Sequence, residues 1–131
     1  MNSTPLLGKA ILGLSALVFI AYGLVSLLTP SVPAGFAGLQ MSNGDAWAEI
    51  GAMYGGLQTG IGFFCVMALV KPDYFRAGLL LLVIGIGALA LARLLSLVTA
   101  PDPVTAYTYG ALIYELVTVG LALLALRQKT A

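Results

Sequence analysis

The stretch Ala77-Gly-Leu-Leu-Leu-Leu-Val-Ile-Gly-Ile-Gly-Ala-Leu-Ala-Leu-Ala-Arg-Leu-Leu-Ser-Leu-Val98 decides the fold. It is apolar almost throughout and carries one charge, Arg93. A helix needs about 20 such residues to cross the hydrocarbon core of a bilayer. Three further stretches have the same character: Leu6–Leu28, Ala46–Val70 and Tyr107–Leu126. Loops at Thr29–Asp45, Lys71–Arg76 and Thr99–Ala106 separate them, punctuated by Pro30, Pro33, Pro72, Pro101 and Pro103. The pattern predicts an all-α protein, an antiparallel four-helix transmembrane bundle forming one domain over residues 1–131.

Composition agrees. The chain has 131 residues, of which 60% are hydrophobic and 8% charged, against about 25% charged in soluble domains. The mean hydropathy is +1.03. The net charge of +1 does not supply the basic face that nucleic-acid binding needs. There is no histidine, the commonest general base and metal ligand. Cys65 is the single cysteine, so no internal disulfide or C-x-x-C pair can form. Without histidine, no Ser/His/Asp set, metal cage or haem ligand pair assembles. Catalysis, metals and cofactors are therefore not expected.

Basic residues orient the chain. Lys9 precedes most of the first span, Lys71 and Arg76 flank the second loop, and Arg127 and Lys129 follow the fourth span. The first and third loops hold no Lys or Arg. The positive-inside rule places both termini and the middle loop in the cytoplasm. Trp47, Tyr107 and Tyr109 then fall at the outer interface, and Tyr74 and Phe75 at the inner one, as an aromatic belt. The first span is too long for the apolar region of a signal peptide, and no clear A-x-A site follows it, so cleavage is not expected. In the first outer loop, Pro33-Ala-Gly-Phe-Ala-Gly-Leu-Gln-Met41 is apolar and is read as an interfacial connector, with a lid over the bundle mouth as the alternative. Asn43 and Asp45 are suitable helix caps.

The chain also has the outline of two repeated hairpins. Gly23-Leu-Val-Ser-Leu-Leu-Thr-Pro30 and Arg93-Leu-Leu-Ser-Leu-Val-Thr-Ala-Pro101 align Ser26 with Ser96, and each leads into a proline-containing loop. A membrane glutamate follows in each copy, Glu49 and Glu115, and Gly23 stands where the second copy has Arg93. Such a repeat gives a pseudo-two-fold axis along the membrane normal; chance matches in Leu/Val/Ala-rich sequence are the competing account.

Glu49, Arg93 and Glu115 are the ionisable residues inside membrane-length stretches, where a charge costs about 2.5–3.5 kcal/mol even on lenient scales. Cβ atoms tilt toward a helix N-terminus. The third span runs outward, so Arg93 leans toward the midplane from about 8 Å below the outer end. The fourth runs inward, so Glu115 leans outward from about 12 Å below its own. Arg93 and Glu115 are expected to form the ion pair, with Glu49 as a shallower second carboxylate. At about 100° per residue, Glu115 shares a stripe with Thr108, Ala111, Thr118 and Ala122, a small and partly polar face suited to another helix or a cavity. Glu49 shares its face with Met53, Gly56 and Gly60; Tyr54, Gln58 and Cys65 lie opposite. Gly51-x-x-x-Gly55 and Gly56-x-x-x-Gly60 have the spacing that lets helix backbones approach. They are read as packing inside the bundle, with a dimer seam as the alternative.

The run Glu49-Ile-Gly-Ala-Met-Tyr-Gly-Gly-Leu-Gln58, then Ala92-Arg-Leu-Leu-Ser96 and Tyr114-Glu115, resembles a family of small, uncharacterised four-helix bacterial membrane proteins, distantly similar to the DoxX-like group. Glu49, Tyr54, Gly55, Gly56, Arg93 and Glu115 match its motif. The resemblance covers nearly the whole chain and implies a four-helix bundle in the bacterial cytoplasmic membrane. DoxX is associated with a quinone-linked oxidoreductase complex, a fold-level analogy that carries little functional weight.

Three functions stay open. In the leading one, Glu49, Tyr54, Gln58, Arg93 and Glu115 line a cavity that binds a lipid, quinone or isoprenoid, since convergent polar groups between bundle helices make a ligand pocket. In the second, the charge cluster is structural and the protein is an accessory or assembly subunit, as a homo-oligomer or in a larger membrane complex. The third is a small transporter or proton pathway; only Thr118 continues the polar stripe of the fourth span inward, which argues against it.

Overall fold

The computed structural model describes residues 5–128. Five helices form, and no strand occurs among the described residues: α1 Leu6–Leu28, α2 Ser31–Ala37, α3 Gly44–Val70, α4 Pro72–Thr99 and α5 Ala106–Arg127. All but α2 are long and apolar enough to cross a membrane. The protein is all-α, and its four spans make it a multi-pass membrane protein.

Local chemistry sets the helix ends. Asn43 Oδ1 accepts from Ala46 N at 2.9 Å and caps α3, with Asp45 in the first turn. An acceptor there satisfies an orphan amide, and an acid near it favours the helix dipole. The middle loop differs from expectation. Helix α4 begins at Pro72, so Lys71 alone separates it from α3, and Asp73 to Arg76 are helical. Proline is pre-organised for the first helical turn and lacks only an amide hydrogen that has no partner there. The first loop also differs, because it contains α2 with Pro33 and Ala34 buried. Gly38 ends α2 at φ +70°, and Leu39 N donates to Ala34 O at 2.8 Å. A left-handed residue here is cheapest as glycine.

Two of the spans contain π-helical turns, Gly51–Gly56 in α3 and Leu82–Ile86 in α4. Such turns are rare and occur often at functional sites.

The described residues form two compact units, one of Gly13–Met67 and one of residues 5–12 together with residues 68–128. In the first, α1 and α3 run antiparallel. Gly23 faces Thr59 and Gly55, Gly55 faces Leu27, and Gly62 faces Ile20 and Ala16. On α1 these contacts fall at 16, 20, 23 and 27, the alternating four-and-three spacing of a left-handed helix pair. A Cβ on Gly55 would come within 2.9 Å of the Leu27 backbone nitrogen. The expectation for the glycines needs correction here. Gly51 is buried with nothing within 4 Å of a Cβ position, and Gly56 and Gly60 are exposed with nothing within 4 Å. Of the four expected glycines Gly55 makes the close approach, joined by Gly23 and Gly62.

In the second unit, α4 packs antiparallel on α5. The buried stripe of α5 is Leu112, Glu115, Thr118, Ala122 and Ala125. Arg76 Nη1 donates to Leu126 O at 3.3 Å, a cation at a helix C-terminus. Phe75, expected at the interface, is only 4% exposed, and its ring covers Gly8. Tyr74 stays exposed, with Lys71 Nζ 6.0 Å from its ring centroid.

Candidate functional site

Arg93 lies toward the end of α4 and Glu115 on the buried stripe of α5. Antiparallel packing brings the two side chains together. Arg93 Nε donates to Glu115 Oε1 at 2.8 Å and to Oε2 at 3.1 Å, and Nη2 lies 2.8 Å from Oε1. Two guanidinium nitrogens on one carboxylate make a charge-assisted fork, which fixes orientation as well as distance. The halves of the pair differ in access. The Glu115 side chain is 5% exposed and that of Arg93 is 23% exposed. The carboxylate is therefore the buried half of the pair, and the arginine side chain the partly accessible one.

Thr118, one turn further along α5, donates its hydroxyl to Tyr114 O at 2.8 Å. Its donor serves its own helix backbone. Thr108 and Ala111, the other expected members of the stripe, are half-buried.

Glu49, Tyr54 and Gln58 lie in the other unit, on α3. Glu49 is exposed immediately before the π-helical turn, Tyr54 is half-buried within it, and Gln58 is half-buried just after it. Met53, Gly56 and Gly60 share the exposure of Glu49, while Cys65 is buried. The two faces read from the sequence are thus separate, and the one that carries Glu49 is open. Thr59 Oγ1 donates to Gly55 O at 2.7 Å, which satisfies a carbonyl inside the π-helical turn.

The burial of two hydroxyls escapes the sequence reading. Ser15 and Ser26 of α1 are fully buried, and neither Oγ has a hydrogen-bond partner among the described residues. Eleven residues make close to three helical turns, so the two lie on one face, with Tyr22 between them. Unsatisfied buried hydroxyls are uncommon and are usually met by ordered water or another polar group. Their eleven-residue spacing puts them on one face but does not say that this face is buried. No group of three or more metal-ligating side chains occurs among the described residues.

A family model described as a domain of unknown function (DUF4345) matches residues 7–126. No curated protein and no solved structure matches the chain.

Proposed function

The chain belongs to the DUF4345 family, whose description assigns no activity, and from its own site we propose that it binds a small amphipathic molecule of the membrane at Arg93. The observation that carries this reading is the asymmetry of the ion pair: a buried Glu115 holds a partly accessible Arg93. Keeping a charge pair among apolar helices has a cost that stability alone does not explain, and intramembrane charge marks function by default. A guanidinium oriented in this way recognises an oxygen acceptor, such as a phosphate, carboxylate or carbonyl. The rest of the ligand is apolar, because the surroundings are. Leu89 and Leu97 lie one turn before and after Arg93 on the same face of α4, the first exposed and the second half-buried. A lipid, a quinone or an isoprenoid has this chemistry.

The protein acts as a binder and not as an enzyme, in the bacterial cytoplasmic membrane with both termini cytoplasmic. Lys9, Lys71, Arg76 and Arg127 support that orientation; Lys129, which points the same way, lies outside the described residues. Native mass spectrometry in mild detergent tests the reading. The wild type should carry a discrete small-molecule mass that is absent from Arg93→Gln and reduced in Glu115→Gln. Bare protein in all three, with unchanged oligomeric state, would overturn it.

One observation favours a second reading, an assembly subunit of a larger membrane complex. The open face of α3 combines Glu49 with Gly56 and Gly60, where no side chain fills the space. Small residues beside one polar group suit contact with another membrane helix. Copurification of a defined protein partner, lost in Gly60→Leu, would support it.

A further inference from the structure

Charge balance narrows what Arg93 can accept. The unit that holds it, residues 5–12 and 68–128, carries five cationic side chains among the described residues: Lys9, Lys71, Arg76, Arg93 and Arg127. Four of them fall at one end. Arg76 Nη1 reaches Leu126 O at 3.3 Å, next to Arg127 in the chain. The ring of Phe75 covers Gly8, next to Lys9, and Lys71 immediately precedes α4. Arg93 lies about 25 Å beyond Arg76 along α4, and Glu115 about 18 Å before Arg127 along α5. Residues 13–67 contain no Lys or Arg, only the acids Asp45 and Glu49. The other unit therefore supplies no cation to the pair.

Arg93 is thus the one cation at its end of the unit among the described residues, and Glu115 already balances it. Asp102, exposed in the loop that follows α4, adds a further negative charge at that end. A ligand reaching Arg93 meets a pair that is neutral as a whole. An anionic head would set a second negative charge on a single guanidinium. The excess charge would stand uncompensated among apolar side chains, where it is costly. A neutral oxygen adds no charge. A guanidinium N–H that donates to a carbonyl still makes a charge-assisted hydrogen bond, stronger than one between neutral groups.

We propose that the Arg93 site takes a neutral amphiphile whose acceptor is a carbonyl oxygen, and discriminates against anionic amphiphiles of the same length. This rests on the reading of Arg93 as a binding site and names the class of its ligand. Glu115 then does more than hold the arginine. Its carboxylate sets the charge of the site and so decides which heads are admitted.

The test is equilibrium binding of radiolabelled methyl oleate and radiolabelled oleate to delipidated full-length protein in mild nonionic detergent. At about pH 9 the free acid is ionised, and the two probes share one chain. Arg93→Gln measures binding outside the site and is subtracted; the double change with Glu115→Gln, which leaves no buried charge, is the second baseline. In the wild type the remaining binding of methyl oleate should be about tenfold tighter than that of oleate. Glu115→Gln removes the balancing charge and should reverse the order. The wild-type comparison decides by itself if that variant does not fold. A decyl-substituted benzoquinone that displaces labelled methyl oleate more strongly than unlabelled methyl oleate does identifies the carbonyl as a ketone; weaker displacement identifies it as an ester. Oleate bound through Arg93 as tightly as the ester would overturn the neutral class and leave the Arg93 site standing. An unchanged order in a folded Glu115→Gln protein would overturn it as well. Binding of both probes that ignores Arg93→Gln would remove the site, and the ligand class with it.

Discussion

Glu115 has little freedom: its side chain is 5% exposed and its carboxylate is gripped by two nitrogens of one arginine. Arg93→Met should strand that carboxylate and cost about 3–5 kcal/mol, whereas the double change Arg93→Met with Glu115→Leu should be close to neutral. Reversible unfolding in mixed detergent micelles measures both. Equal loss in the single and double variants would mean that the arginine contributes through packing alone. The pair is legible in the sequence because a charge in a membrane helix is conspicuous, and because helix direction says which way each side chain leans. Glu49 reads as a third member by the same rule, yet its exposure is set by which face of α3 meets α1, and composition does not record that. Ser15 and Ser26 are inconspicuous for the opposite reason. Serine is unremarkable in an apolar helix, and only its neighbours decide whether its hydroxyl is buried.

At the scale of elements, α1 and α3 show what glycine spacing alone leaves open. Interlocked G-x-x-x-G pairs say that α3 has a close-packing face, and several registers satisfy them. The seam runs through Gly55 and Gly62. The π-helical turn at Gly51–Gly56 helps to explain why: it breaks the regular 3.6-residue phase on which face assignments rest. A Cβ on Gly23 would come within 2.7 Å of Thr59 N and 2.9 Å of Gly55 O, and backbone atoms cannot step aside. Gly23→Leu should therefore destabilise by about 1–3 kcal/mol. Gly60→Ala, in open space, should be neutral or stabilise by up to about 1 kcal/mol through helix propensity. Thermal melts of the two variants in one detergent make the comparison; a Gly23→Leu protein as stable as wild type would refute the seam. The helix α2 is hidden in the sequence for a related reason. Its prolines and glycines look like loop chemistry, and its order comes from burial of Pro33 and Ala34.

For the whole molecule, hydropathy locates all four spans to within a few residues, since each must be apolar over its length. The division into two compact units is not legible in that way. It falls within α1 and α3, where one apolar residue follows another without a change in pattern. Orientation rests on the basic residues and has its own test. Cys65 is fully buried, so the native thiol should stay silent toward a membrane-impermeant maleimide. Asp102→Cys should label on intact cells, and Asp73→Cys only after permeabilisation. The reverse pattern would invert the topology.

The turn at Lys71 bears on how the protein meets bilayers of different thickness. Helices α3 and α4 have 27 and 28 residues, about 40 Å each, longer than a hydrocarbon core of about 30 Å. One residue, Lys71, joins them. A change in thickness must be absorbed by tilt, or by how far the free ends protrude. Each helix outruns the core on its own, so a thinner or thicker membrane is met by each one separately, in how steeply it lies and in how many residues of its ends, near Gly44 and Thr99, stand among the headgroups.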